Sequence, residues 1–252
     1  MIKKIPNKLI ILGGGTSIRA GIKKGLWDKI RGQWVIGLNY SYKFFLNSTF
    51  HCWVDDVFYI KQNKELSKLP LLIGQDKDTV RKKELSNTIF LPSQIRYKRN
   101  LSGGVYKTCL AGLWGLSLGI YLLDIGEIYL LGYDFGELRK KDFAKFMPNR
   151  RDLNNIMIKD KKGQPMTHFY QGKLYHRGIG RISFYNDKER IKNTFAVYKN
   201  EKKVKIYNVS LPSKLDTFPK ISYDTFFTKL DGKQYDQEFI REYTKKRIKE
   251  IK

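Results

Sequence analysis

The stretch at residues 175–178 (YHRG) combines residue types that could move a proton and offset negative charge. Histidine titrates near neutral pH, and glycine-containing polar stretches of this kind are typical of loops, which often carry catalytic groups. His176 is therefore predicted to be a general base, with Arg177 beside it to stabilise a departing phosphate. His51 lies within a predicted strand, where it is expected to belong to the core or the sheet edge and to have no role.

Five small residues follow the first apolar run of the chain: Gly13, Gly14, Gly15, Thr16 and Ser17. Glycines between a strand and a helix let backbone N–H groups approach a phosphate, and Thr16 or Ser17 could cap that helix or bind the ligand. The spacing is neither that of a P-loop nor that of a dinucleotide-binding fingerprint. The pattern predicts a phosphate-binding turn, with a purely structural tight turn as the alternative.

A second turn of this kind is predicted at residues 99–106 (RNLSGGVY), which precede a long uncharged segment. Ser102 and Gly103 would present backbone N–H groups at the start of a helix. Arg99 could offer its planar guanidinium group to a phosphate or a carboxylate. The two turns are expected to face each other and to bind the same phosphorylated ligand.

Polar side chains also stand at the ends of three predicted strands. Asn39 follows VIGL, Asp55 and Asp56 follow HCWV, and Asp134 follows YLLGY. In an open parallel sheet, ligands bind outside the carboxyl ends of the strands. These residues therefore predict one binding crevice, although each of them alone could simply cap a loop.

The elements that would position these residues alternate along the chain between apolar strands and helical segments. Strands are predicted at residues 7–12, 33–38, 50–54, 71–74, 88–91, 127–131 and 203–208. Helices are predicted from residue 18 to about residue 29, over 103–123 and 187–198, and over 236–252, the last of them amphipathic. This alternation predicts an α/β fold with a mostly parallel sheet and helices on both faces.

Three regions are expected along the chain. Residues 1–135 would form the nucleotide-binding core, residues 136–185 a basic lid or insert that carries His176, and residues 186–252 would complete the core. The longest uncharged stretch, residues 108–123, is shorter than the ~20 apolar residues that cross a membrane. No signal peptide is recognised, so a soluble cytoplasmic protein is expected, in the host cytoplasm if the chain is phage-encoded.

The charge of the chain points to an anionic partner. The 252 residues include 49 Lys and Arg against 24 Asp and Glu, for a net charge of +25. Such an excess attracts nucleic acid, anionic lipid or phosphorylated substrates, although part of it could reflect codon bias on a solvated surface. The 2 cysteines exclude a disulfide scaffold and a four-cysteine zinc site.

The block RNLSGGVYKTCLAGLWGLSLGIYLLDIGEIYLLGYDF at residues 99–135 resembles the bacterial sialyltransferases of glycosyltransferase family 42. In that family an Arg, a Ser-Gly-Val-Tyr turn, a buried helix and a strand ending in Gly-Ile-Asp-Phe follow in this order. The sequence LGGGTS is similar to the family's first glycine turn, and KVKIYNVS is similar to its late strand. The chain differs from the family pattern in four places. Gly14 replaces an Asn, Gly136 replaces a Tyr, and the Ser-Gly turn has one extra glycine. The tyrosine of the family's lid is matched at best by Phe143 or Tyr170.

The resemblance implies a Rossmann-like fold and a nucleotide-activated sugar donor of the CMP type. The donor would be contacted by Gly13, Gly14, Gly15, Thr16, Ser17, Asn39, Asp55, Ser102 and Gly103. The strand-end pattern adds Asp134 to these donor-binding residues. His176 matches the catalytic histidine of the family's lid, and Arg99 matches an arginine on the acceptor side. No metal or cofactor is required for this chemistry. The acceptor would be anionic: phage nucleic acid, through DNA modification, or a charged glycan.

Two other functions remain open at this point. The chain is also similar in outline to a broader Rossmann-like group that includes archaeal pterin pyrophosphokinases and phage-encoded relatives. In a magnesium-dependent pyrophosphokinase, Asp55, Asp56 and Asp134 could share Mg²⁺ and bridge it to nucleotide phosphates. Alternatively, the chain could be a non-catalytic protein that binds a nucleotide or nucleic acid.

Overall fold

The computed structural model describes residues 1–15, 17–94, 105–106, 110–134, 158–159, 165–166, 195–199 and 203–251. Within these ranges the strands are β1 (Lys8–Leu12), β2 (Val35–Leu38), β3 (Phe50–Trp53), β4 (Leu72–Gln75), β5 (Thr88–Leu91), β6 (Ser93–Gln94), β7 (Val105–Tyr106), β8 (Glu127–Leu131), β9 (Ile158–Lys159), β10 (Pro165–Met166) and β11 (Lys205–Asn208). The helices are α1 (Ile18–Ile22), α2 (Leu26–Ile30), the 3₁₀ helix η1 (Asn39–Lys43), α3 (Asp56–Leu66), α4 (Asp78–Arg81), α5 (Ala111–Tyr121), α6 (Tyr223–Lys229) and α7 (Gln237–Ile251).

Seven strands form one sheet in the order β11-β8-β1-β2-β3-β4-β5, and every neighbouring pair is parallel. The chain runs outward from β1 to β5 and then returns to the other side of β1 to form β8. The strand order therefore reverses between β1 and β8. In open α/β sheets, this reversal opens a crevice at the carboxyl ends of the strands.

Helices cover both faces of the sheet, as the sequence predicts. Leu9 and Ile11 of β1 belong to the apolar layer that includes α5 and α7. Ile10 and Leu12 point the other way, into the layer that includes α1, α2, α3 and α6. The two-residue period of a strand produces this division, because successive side chains face opposite sides. The α/β, Rossmann-like parallel sheet is thus confirmed.

Helix α5 lies very close to the sheet because glycines face it. A Cβ atom on Gly119 would be 2.8 Å from Leu9 Cδ2, and one on Gly115 would be 3.1 Å from Leu38 Cδ2. The predicted helix over residues 103–123 is too long, since α5 begins at Ala111 and residues 105–106 form β7. The predicted helical segment after residue 17 is two short helices, because Gly25 adopts φ +78° between α1 and α2.

The C-terminal residues complete the sheet rather than forming a separate unit. Strand β11 pairs with β8, and Ile240 and Ile248 of α7 are buried in the same layer as α5. The first residues also contact this region, since Ile2 forms a β-bridge with Tyr235. Among the helices in the described ranges, none has both the length and the apolar character needed to cross a membrane.

Candidate functional site

The sheet register brings several of the predicted site residues to one edge. Leu12 of β1 is level with Gly37 of β2 and with Leu131 of β8. Gly14 and Asn39 each come two residues after the last paired residues, Leu12 and Gly37. Gly15 lies against Asp134, since a Cβ atom on Gly15 would be 2.6 Å from Asp134 Cγ. Neighbouring strands lie ~4.8 Å apart, so these residues surround the carboxyl ends of three adjacent strands at the point where the strand order reverses.

The glycine turn is bound tightly to the end of β8. The Gly13 and Gly15 N–H groups donate to the carbonyl oxygens of Leu131 and Gly132, both at 2.8 Å. A Cβ atom on Gly15 would lie 2.6 Å from both Gly132 O and Asp134 Cγ. Only glycine therefore fits at position 15, and the reason is close packing within the protein.

Asp134 occupies the position that an anion would take beside this turn. Its carboxylate accepts hydrogen bonds from Ser17 N at 2.6 Å and Ser17 Oγ at 2.5 Å, and from Ser210 Oγ at 2.8 Å. The side chain is buried, with 7% of its surface exposed. The three hydrogen bonds join chain segments that are far apart in sequence. Asp134 therefore has a structural role at the point where the strand order reverses.

These contacts revise the expectation that the whole turn contacts the donor. The N–H groups of Gly13, Gly15 and Ser17 already donate within the protein, and an incoming phosphate at Ser17 would meet the like charge of Asp134. Gly14, in contrast, is partly exposed. Within this turn, the predicted contact with the nucleotide-sugar donor is therefore kept as a prediction for Gly14.

Asn39 has an unusual backbone for a residue with a side chain. It follows β2 with φ +49°, and among the described non-glycine residues only Asp124 is also at positive φ. Its carbonyl oxygen contacts His51 Nε2 at 2.5 Å. Its side-chain Oδ1 is buried and has no hydrogen-bond partner among the residues that the structure describes. The end of β2 thus carries a buried amide oxygen without a partner, on a residue that is itself partly exposed.

His51 lies behind Asn39 in a group of buried polar atoms. A Cβ atom on Gly37 would be 2.5 Å from His51 Nδ1, 2.8 Å from Ser48 Oγ and 2.9 Å from Ser41 Oγ. Burial lowers the pKa of His51 to about 4, while its hydrogen bond to the Asn39 carbonyl acts in the opposite direction. The ring is therefore neutral at physiological pH.

The two carboxylates after β3 have structural partners. Asp55 Oδ1 accepts hydrogen bonds from Val57 N at 2.9 Å and Phe58 N at 3.4 Å, which makes it the N-cap of α3. Asp56 pairs with Lys77 and accepts from Thr79 Oγ1 at 3.0 Å. Burial opposes ionisation of Asp56, but these hydrogen bonds outweigh it and lower the pKa of the carboxyl group. Contact between Asp55 and a donor remains a prediction.

No group of three His, Cys, Asp or Glu side chains in the described parts of the chain is arranged to hold a metal ion. Asp55, Asp56 and Asp134 lie at the same edge of the sheet, but each is bonded to different protein groups. The described structure therefore does not bring the three carboxylates together as one group of metal ligands.

A separate open cavity of about 620 Å³ lies at the carboxyl ends of β4 and β5. In its lining, Arg81 donates two hydrogen bonds to the Asp76 carboxylate, at 2.5 and 2.6 Å. The cavity is three strands from β1, or ~14 Å at the usual strand spacing. It is therefore not part of the crevice at the reversal point. It is lined by Asp76, Lys77, Asp78, Arg81 and Pro92.

Six predicted site residues lie outside the part of the chain that the structure describes: Thr16, Arg99, Ser102, Gly103, His176 and Arg177. The sequence reasoning also missed two residues inside that part. Ser210 comes two residues after the predicted strand at residues 203–208, so the same strand-end argument that selected Asn39 could have selected it. His51 was expected in the core or at the sheet edge and without a role. It is buried in the core, but its contact with Asn39 crosses between strands and leaves no local pattern.

The chain was compared with protein-family models, curated proteins and solved structures, and none of the three comparisons gave a match. The fold and the site geometry therefore carry the functional argument together with the sequence motifs.

Proposed function

We propose that this protein transfers a sugar from a nucleotide-activated donor, of the CMP type, to an anionic acceptor. The donor nucleotide would lie at the carboxyl ends of β1 and β2, beside the reversal point of the sheet. The observation that carries this proposal is Asn39, whose amide oxygen is unsatisfied at that edge. An amide offers both a donor and an acceptor, as recognition of a nucleobase or a ribose requires.

The neighbours of Asn39 support the same placement. Gly14 comes two residues after Leu12, as Asn39 does after Gly37, the register partner of Leu12. Gly14 is partly exposed, so its backbone could approach the nucleotide. The parallel sheet with a reversal between β1 and β8 is an arrangement in which nucleotides commonly bind. The motif block at residues 99–135, which resembles glycosyltransferase family 42, agrees with a nucleotide-sugar donor.

In this proposal His176 removes the proton from the acceptor hydroxyl group. The acceptor oxygen forms a bond to the anomeric carbon of the sugar, while the bond from that carbon to the phosphate oxygen breaks. The electron pair of the broken bond leaves with the nucleotide phosphate, and Arg99 and Arg177 offset its charge. These three roles rest on the sequence motifs.

The net charge of +25 supports an anionic acceptor. A polyanion such as nucleic acid, or a charged glycan, would be attracted to the protein surface before it reaches the site.

A thermal-shift comparison of nucleotides tests the proposal. CMP or a CMP-sugar at about 100 times its Kd should stabilise the wild-type protein by ~2.7 kcal/mol, which corresponds to a rise in Tm of roughly 5–10 °C for a chain of this size. UDP and GDP serve as comparison nucleotides. If no nucleotide or nucleotide sugar raises the Tm, the proposal is wrong.

A matched pair of variants locates the binding site. Asn39→Gly keeps the positive-φ backbone but removes the amide, and should lose most of the nucleotide-induced shift. Asp124→Gly is the control, because Asp124 also has positive φ (+51°) but precedes β8 at the opposite end of the sheet. Equal nucleotide-induced shifts in Tm for the two variants would show that Asn39 is not part of the nucleotide site.

A further inference from the structure

We propose that His51 is a positioning residue, which holds the backbone of Asn39 in its left-handed conformation and thereby aims the Asn39 amide at the nucleotide. The role of the nucleotide in this inference rests on the proposed function. The restraint on Asn39 itself is a property of the folded chain alone.

The hydrogen bond between the two residues fixes the state of the imidazole. His51 Nε2 lies 2.5 Å from the carbonyl oxygen of Asn39. A carbonyl oxygen can only accept, so Nε2 carries the proton and donates. In the neutral ring Nδ1 is then an acceptor, and it has no partner among the described residues. One tautomer is therefore selected by the contact with Asn39.

The surroundings of His51 prevent the ring from moving away. Only 1% of the residue is exposed. The Tyr42 ring packs edge-on against it, with ring centroids 5.5 Å apart and an interplanar angle of 90°. On the other side the β2 backbone at Gly37 lies so close that a Cβ atom there would be 2.5 Å from Nδ1. The donor at Nε2 is thus held in one place.

Asn39 needs such a restraint because its conformation is unfavourable. A residue with a Cβ atom pays a steric cost at φ +49°, although asparagine tolerates this region better than most residues. Asn39 is also the first residue of η1, directly after β2, where an extended or right-handed backbone would be the ordinary choice. A donor fixed opposite its carbonyl oxygen favours the left-handed form. Rotation of this backbone would carry the side-chain amide to a different position.

The restraint does not change over the physiological pH range. The fully buried ring has a pKa of about 4, so it stays neutral and keeps the same tautomer near pH 7. This behaviour suits a fixed support, and it does not suit a proton-transferring group, whose pKa would lie near the working pH.

Two substitutions separate positioning from simple packing. His51→Phe keeps an aromatic ring beside Tyr42 but removes the donor. His51→Gln loses the ring, but its Nε2 amide can donate to the same carbonyl oxygen. If His51 acts through Asn39, nucleotide affinity should fall about tenfold in His51→Phe, the order of effect of one lost hydrogen bond, and should be largely restored in His51→Gln.

A double-mutant cycle with Asn39→Gly provides a second readout by calorimetric titration of CMP. Without the amide, His51 has nothing to aim, so adding His51→Phe to Asn39→Gly should not weaken binding further. Equal affinities in His51→Phe, His51→Gln and wild type would overturn the inference. So would a full additional tenfold loss in the double variant, or equal losses in the two single His51 variants.

Crystal structures of the unliganded variants decide the inference even if the proposed function fails. Suppose that the wild-type protein binds no nucleotide, so that the proposed function is wrong. The positioning role is still supported if Asn39 leaves the positive-φ region in His51→Phe and keeps it in His51→Gln. It is overturned if Asn39 stays at positive φ in both variants.

Discussion

The neutral, buried His51 makes the stability of the protein depend on pH in a defined range. In the folded protein burial lowers the pKa of His51 to about 4, whereas an unfolded chain binds that proton near pH 6.5. Between these two values the unfolded state holds one proton more than the folded state at this position. The contribution of His51 to the free energy of unfolding is therefore fully present above pH 6.5 and is lost as the pH falls towards 4.

The size of the effect follows from the two pKa values. Each pH unit in this range removes about 1.4 kcal/mol of unfolding free energy, which gives about 2 kcal/mol at pH 5 and about 3 kcal/mol at pH 4. Native domains are stable by only ~5–15 kcal/mol, so the loss should be easy to measure. Below pH 4 the contribution levels off, because the folded protein then binds the proton too.

Urea unfolding of the wild type and of His51→Gln at several pH values between 4 and 7.5 tests this prediction. Glutamine does not titrate, so the variant should lose less stability on acidification. The difference between the two proteins should change by about 3 kcal/mol across the range. Taking the difference cancels the contributions of carboxylates and of the other histidines. Parallel curves for the two proteins would show that His51 is not buried in its neutral form.

Two further predictions concern the reversal point and the proposed base. Asp134→Asn should lower the free energy of unfolding by about 2–3 kcal/mol, because it weakens charge-assisted hydrogen bonds to Ser17 and Ser210 in a buried site. Urea unfolding measures this loss. The control is Asp224→Asn, which removes an exposed ion pair and should have a smaller effect. A stability of Asp134→Asn equal to that of the control would show that these hydrogen bonds do not stabilise the fold. His176→Ala should reduce the rate of sugar transfer by ~10²–10⁴ while leaving the thermal shift with CMP intact, and unchanged turnover would exclude His176 as the base.

Much of the fold could be predicted from local patterns. Short apolar runs ending in glycine or polar residues located the seven strands of the main sheet, because a strand buried on both faces reads as a continuous apolar segment. The residues at which helices begin and end could not be predicted as well. The glycines inside the uncharged segment are compatible with helix or loop, and the sequence alone does not show that Gly115 and Gly119 lie in α5, close to Leu38 and Leu9.

The sequence indicated some residues of the candidate site but not the contacts between them. The strand-end rule selected Asn39 and Asp134 because it depends on topology, which the alternation of elements already indicates. It could not show that Asp134 bonds to Ser17, 117 residues earlier in the chain. Nor could it show that Asn39 has positive φ or that His51 reaches its carbonyl oxygen. Such contacts depend on three-dimensional register rather than on neighbouring residues.

The position of β1 inside the sheet affects how the chain can fold as it is synthesised. Its pairing partner β8 is made more than a hundred residues later, and so is the carbonyl oxygen of Leu131 that accepts from Gly13. Until then, β1 has an open edge of apolar residues with unpaired backbone groups, a template for pairing with other nascent chains. A nascent chain that stops before residue 127 is therefore expected to aggregate or to need a chaperone, and closure of the sheet should be a late, slow event in folding.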